Sequence, residues 1–170
     1  MKQVGNFWVP NIDVQRFRGF GKQRAKTYRN YANNDGPKSQ DLRDALAHFQ
    51  GGKIAIDGGA NVGAYTRLML QRFDFVHAIE PAPDTFEALE RNIQDWGFAD
   101  RVKLYPVALS DCSGMVNMRP RLGHRSLTRR VVDGKGVIPA CRLDDLETGQ
   151  VSPYELAGTI LDALKQGARP

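Results

Sequence analysis

Metal-binding and cross-linking residues are nearly missing from this chain. Its two cysteines, Cys112 and Cys141, form no CxxC pair, and its three histidines are scattered without metal-ligand spacing. That excludes a zinc-type site and leaves two ordinary thiols, which suits a reducing, cytoplasmic setting. No apolar run approaches the roughly 20 residues that span a bilayer. The N-terminal MKQVGNFWVP lacks the apolar core of a signal peptide, so neither export nor a membrane role is expected. Internal repeats and low-complexity tracts are absent as well. What is present is a chain of 170 residues with 41% apolar content, enough for one real core.

Acidic residues are missing locally. Residues 1–30 hold Lys2, Arg16, Arg18, Lys22, Arg24, Lys26 and Arg29 against Asp13 alone, so this segment accounts for the net charge of +5. Arg119, Arg121, Arg125, Arg129 and Arg130 form a second cluster in a loop-like, acid-free stretch. Such patches attract phosphates and other anions and say nothing about fold.

Residues 1–38 read as a basic N-terminal extension, apolar only at Phe7–Val9 and ending in the turn-rich NNDGPKS. Residues 39–170 read as the folded domain. Ser39 can cap a helix that places Leu42, Ala45, Leu46 and Phe49 on one face, with Gly51 to close it. Lys53–Ile56 predicts a short buried strand, 63–73 a helix and 73–80 a second strand. Pro83-Asp84 opens another helix, with Phe86, Leu89, Ile93 and Trp96 as its stripe and Gly97 as its stop. A third strand follows at Val102–Leu109. Strand–helix–strand–helix–strand makes two βαβ units, and these force right-handed crossovers and a parallel sheet with helices on both faces. The fold class is therefore α/β. Beyond Ser110, residues 114–118 and 136–143 read as short strands flanking the arginine-rich loop. Residues 153–166 read as a helix with Leu156, Ile160 and Leu164 on one face.

In such a sheet, ligands sit outside the carboxyl ends of the strands, where the first strand turns into its helix. Asp57-Gly58-Gly59-Ala60-Asn61-Val62-Gly63 occupies that place. Glycines there either admit a ligand to backbone N–H groups or simply make a tight turn. A P-loop would need Gly-Lys-Ser/Thr, which is absent. A dinucleotide fingerprint needs G-x-G-x-x-G, yet counting from Gly59 the second glycine position holds Asn61, which would crowd a diphosphate. Asp57 would repel the same phosphates. S-adenosylmethionine has no phosphate, and its ammonium and sulfonium would be drawn to Asp57, directly or through water. Glu80, followed by Pro81, stands close to where a ribose-binding acid is expected. Ala108, Leu109, Ser110 and Asp111 would border the adenine in the usual strand order. Asp111 could accept from its amino group or merely start a turn. His77, in the middle of the second strand, reads as a core residue.

These residues resemble the FkbM-type S-adenosylmethionine-dependent methyltransferases. The likeness is carried by FWVP, AIDGGANVGAYTR, VHAIEPAPDTFEALERNI, VKLYPVALSD with a glycine just after, and RLDDL, which cover most of residues 54–146. The resemblance implies a Rossmann-like class I methyltransferase sheet and methyl transfer to an oxygen, often on sugars or other small natural products. It implies cofactor roles for Asp57, Gly59, Asn61, Gly63 and Glu80, with Gly58 and Ala60 completing the turn. The chain departs from the family after LDDL. There the family has a strand like I-K-x-D-V-E/Q-G, whereas LDDLETGQVSP runs straight into YELAGTILDALKQGARP. C-terminal strands are thus expected to be missing, and no catalytic residue can be named. An exposed sheet edge invites pairing with another chain, so a homo-oligomer is expected, and a monomer at micromolar concentration would count against it. The acceptor expected is a small molecule or glycan, an anionic one among them. Tyr65, His124, Arg125 and Ser126 are substrate-side candidates by position alone.

Two readings of other classes compete. One is a reduced domain that binds the cofactor or a nucleoside without catalysis, which the absent strand favours. The other is nucleic-acid binding through RFRGFGKQRAKTYRNY, where Phe17, Phe20, Tyr28 and Tyr31 interleave with basic residues. A solvated basic segment is the plainer account of that stretch.

Overall fold

The computed structural model describes residues 1–11, 43–48, 52–120, 129–132 and 136–146. The chain opens on an antiparallel hairpin, β1 (Lys2–Val4) and β2 (Phe7–Val9). This corrects the expected extension at its near end. Phe7 and Val9 are buried together with Val62 and Ala88, so the apolar FWV piece is part of the folded body. Burial of two large apolar side chains, each about 1.5–3 kcal/mol, outweighs the polar character of the residues around them. Residues 43–47 are helical and Leu46 is buried, whereas Ser39, Leu42 and Phe49 lie outside the described residues.

The central sheet is parallel: β3 (Gly52–Gly58), β4 (Phe73–Ile79) and β5 (Val102–Tyr105), with β4 in the middle. Helix α1 (Ala64–Met69) connects β3 to β4, and α2 (Pro83–Asp95) connects β4 to β5. The register places Ala55, Val76 and Val102 on one face and Ile56, His77 and Lys103 on the other. The first face carries the main core, where Leu68 and Met69 from α1, Leu70 just after it, and Leu89 and Ile93 from α2 pack. Helices α1 and α2 therefore lie on one face. Two successive right-handed crossovers stepping in the same direction must stay on the same side of the sheet. The opposite face meets Leu143 and Leu146 instead, around a 3₁₀ turn at Leu143–Asp145.

Helix α2 begins as its sequence demands. Pro83 occupies the first turn, where its missing N–H costs nothing. At the other end Gly97, at φ 73°, closes a Schellman motif: Gly97 N–H donates to Gln94 O and Phe98 N–H to Ile93 O, both at 3.0 Å.

The third strand is shorter than its apolar run. β5 stops at Tyr105, and β6 (Ala108–Leu109) belongs to a second sheet. Pro106 lies between them and has no N–H for a ladder, so pairing is interrupted there. The second sheet has the order β6-β9-β7-β8, with β7 (Gly114–Pro120), β8 (Arg129–Val132) and β9 (Ile138–Cys141). β6 and β9 run parallel; β7 is antiparallel to both β9 and β8. Arg119, Arg129 and Arg130 are consequently strand residues and not loop residues. The RRVV of β8 contains a β-branched pair, which suits a strand. The helix expected over 153–166 lies outside the described residues. No helix among the described residues is long and apolar enough to cross a membrane, and none of their His, Cys, Asp and Glu groups could hold a metal ion.

Candidate functional site

β3 delivers Asp57 to its carboxyl end on the helix-bearing face, paired in register with Ala78. That placement decides its partner. Asp57 is only 2% exposed, and Thr66 Oγ1 on α1 donates to its Oδ2 at 2.6 Å. A buried carboxylate needs such donors. The chain then leaves the strand through Gly59 (φ 80°), Asn61 (φ 53°) and Gly63 (φ 88°).

Every backbone N–H from Gly59 to Gly63 has an acceptor within the protein. Gly59 and Ala60 both donate to Ile79 O at 2.9 Å, and Gly63 donates to Ala60 O at 2.9 Å. Asn61 N–H donates to Glu80 Oε2 at 3.0 Å, and Val62 N–H to Asn61 Oδ1 at 2.8 Å. The last bond explains Asn61. An Asn side chain that accepts from the next amide stabilises the left-handed backbone its own residue adopts.

Glu80 follows β4 and is 7% exposed. Its N–H extends the ladder to Tyr105 O at 3.1 Å, while its other oxygen, Oε1, accepts from Ala82 N–H at 2.9 Å. The Glu80 carboxylate thus bridges the turn after β3 and the turn after β4. Pro81, half-buried, sits inside that second turn and has no N–H to compete. Asp57, Glu80 and the whole glycine turn are brought together at the carboxyl ends of β3 and β4, as the sequence pattern expects.

The remaining candidates are placed differently. Ala108 is buried with Ile138 and Ala140 in the core of the second sheet, and Leu109 packs on the far face of the first. Ser110 N–H donates to Cys141 O at 2.9 Å. Asp111 is exposed and accepts from Ser110 Oγ at 3.2 Å. The Cys112 thiol first, and the Ser110 hydroxyl second, hold its carboxyl below the usual range. Tyr65 is half-buried against the helix-side core. His124, Arg125 and Ser126 lie outside the described residues. His77 is buried, with Nδ1 2.7 Å from Tyr105 Oη and the two rings stacked at 5.7 Å.

Two residues that shape the site escaped the sequence reading. Thr66 was hidden because a Thr in a helix carries no spacing signal. Asn92 did carry one: it is a polar residue on the buried stripe of α2, and such positions are filled by an amide only when its partners are built in.

No protein-family model matches this chain, and no curated protein does either. Among solved structures it is similar to the methyltransferase FkbM from Methylobacillus flagellatus at 16% identity and TM-score 0.38, over 92% of this chain and 47% of that one. It is similar to a methyltransferase from Geobacter sulfurreducens at 19% identity and TM-score 0.39, over 51% and 48% of the two chains. Trm5b from Pyrococcus abyssi aligns at 22% identity and TM-score 0.35, over 39% of this chain and 20% of that one. The chain spans less than half the length of each of the three, and likeness at this level does not say what it does. The α/β class rests on its own strands.

Proposed function

We propose that this chain binds S-adenosylmethionine at the turn between β3 and α1 and passes its methyl group to an oxygen of a small molecule or glycan. The observation that carries this reading is that the turn's five N–H groups are all consumed internally. A diphosphate would need such donors. A cationic ligand rich in hydroxyls needs acceptors, and the two carboxylates supply them. Glu80 is the residue to hold a ribose: its carboxylate is an acceptor group, held at the rim of the turn by the Asn61 and Ala82 N–H groups. Asp57 acts at one remove, by its negative charge and by fixing Thr66 on the first turn of α1. When bound, S-adenosylmethionine supplies a methyl group already activated by a sulfonium. The chain's own contribution is to align the acceptor and keep water away.

An anionic acceptor is favoured by β7 and β8. Arg119 and Arg130 are register partners there, and Arg129 pairs with Pro120. A run of basic residues without acids attracts anions.

Calorimetry with S-adenosylmethionine, S-adenosylhomocysteine and NAD, on the native chain and on Glu80→Gln, tests the proposal. Both adenosyl sulfur ligands should bind and NAD should not. Glu80→Gln should weaken binding by at least about tenfold, the scale of a charge-assisted hydrogen bond. Binding of NAD without S-adenosylmethionine would overturn the reading. Binding without release of S-adenosylhomocysteine from any acceptor would support the non-catalytic alternative.

A further inference from the structure

We infer that Asn92 is the positioning residue of the cofactor turn, and that through it the N-terminal hairpin sets the turn's affinity for an adenosyl ligand. For the identity of the ligand, this rests on the function proposed above. Asn92 lies on α2 between Leu89 and Ile93 and is 0% exposed. A buried amide is costly unless its donors and acceptor are met. All are met here. Asn92 Oδ1 accepts from Trp8 N–H at 2.6 Å, and its Nδ2 donates to Trp8 O and to Val62 O, both at 2.9 Å.

The first two bonds serve β2 as a neighbouring strand would, pairing with both backbone groups of one residue. The third reaches the turn itself, between Asn61 and Gly63. A second route runs beside it. The Trp96 indole N–H donates to Asn6 O at 2.9 Å, its ring meets Phe7 edge-on at 4.9 Å, and the same ring lies 3.3 Å from where a Cβ on Gly63 would stand. Val62 in turn shares one apolar cluster with Phe7, Val9 and Ala88. The hairpin therefore grips the two residues that close the turn, Val62 by a hydrogen-bond relay and Gly63 by packing.

That grip matters because the turn is conformationally demanding. A non-glycine residue in the left-handed region, such as Asn61, persists only where its surroundings over-determine it. Glu80 and the Asn61 side chain secure amides of the turn. Asn92 secures its carbonyl side. Without that bond the Asn61 amide no longer presents itself to Glu80 in one place, and the carboxylate loses the backbone bond that aims it. Asn92 thus touches neither ligand nor reacting atoms and acts through Val62 and Glu80.

The test uses Asn92→Asp, which keeps an acceptor for Trp8 N–H but loses both donors at unchanged shape. Val102→Ala, a core truncation on β5 away from the turn, serves as the control for general loss of stability. Hydrogen exchange is read on the ligand-free chains and S-adenosylhomocysteine affinity by calorimetry, both well below the melting temperature. Asn92→Asp should speed exchange at the Asn61 and Val62 amides about tenfold more than at Val76 and Ala78, and weaken binding by about tenfold, the scale of one buried hydrogen bond. Val102→Ala should shift all four amides alike and leave affinity within about twofold. Uniform acceleration in Asn92→Asp, or an unaltered turn, would reduce Asn92 to an ordinary core amide. If the native chain binds no adenosyl ligand, the proposed function fails, while the exchange pattern still decides the role of Asn92. Should Asn92→Asp not fold, Phe7→Leu carries the same expectation, because it loosens the hairpin from Trp96 without altering α2 or the turn.

Discussion

At the scale of single residues, Gly63 and Gly97 separate two costs that are usually confounded. Both have positive φ, 88° and 73°, so a side chain at either meets the same backbone penalty of about 1–2 kcal/mol. Only Gly63 is also crowded: a Cβ there would stand 2.8 Å from Leu89 Cδ1, whereas one on Gly97 would meet nothing within 4 Å. Gly63→Ala should therefore lower unfolding stability by clearly more than Gly97→Ala, the excess being about 1–3 kcal/mol of overpacking. Urea unfolding of the two variants compares them directly, and equal losses would mean that Leu89 and Trp96 move aside freely. Thr66→Val makes a companion case. It keeps the shape and removes the hydroxyl that donates to buried Asp57, so a loss of about 1–3 kcal/mol is expected. A stability within about 0.5 kcal/mol of native would show that Asp57 replaces that donor easily.

At the scale of elements, His77 illustrates what a sheet face does to a titrating group. Burial first, and the Lys103 ammonium second, hold its pKa below the ordinary 6.5. The unfolded chain, with the higher pKa, takes up the proton first. The stability that comes from a neutral His77 is thus complete above about 6.5 and is lost as pH falls through the lower folded value. His77→Gln should flatten this part of the pH profile. Denaturant midpoints at about pH 7.5 and pH 5.5 check it: the native chain should lose more than the variant on acidification, and parallel losses would show that His77 is not held neutral. The elements also show where sequence reading is strong. α2 has its proline, its apolar stripe and its closing glycine in the chain order that a helix requires, and its observed ends match. β5 and β6 are the counter-case, since an apolar run does not reveal which neighbour each half will find. Pro106 was the visible clue, but the second sheet that receives β6 depends on β9, some thirty residues further on, on the order of a whole βαβ unit away.

At the scale of the whole molecule, the N-terminal hairpin is the part that local reading undervalues. A chain beginning at residue 10 would expose the apolar surface that Phe7 and Val9 cover on Val62, Ala88 and Trp96. Two side chains of that kind are worth about 3–6 kcal/mol together, so the truncated chain should melt well below the native one in a thermal scan. An unchanged melting temperature would mean that the hairpin is not held to the body.

The sequence by itself determined the parallel βαβ core, the place of the glycine turn and the positions of Asp57 and Glu80 at the carboxyl ends of β3 and β4. Those follow from periodicity, turn chemistry and chain order, which are local properties. Tertiary structure alone decided that α1 and α2 share one face, that Thr66 answers Asp57, and that the turn spends its own N–H groups. It also decided that Asn92 joins residues 8 and 62, because a buried amide takes whichever distant backbone the fold brings within 2.9 Å. Such contacts have no spacing in the chain, so only the folded molecule can write them.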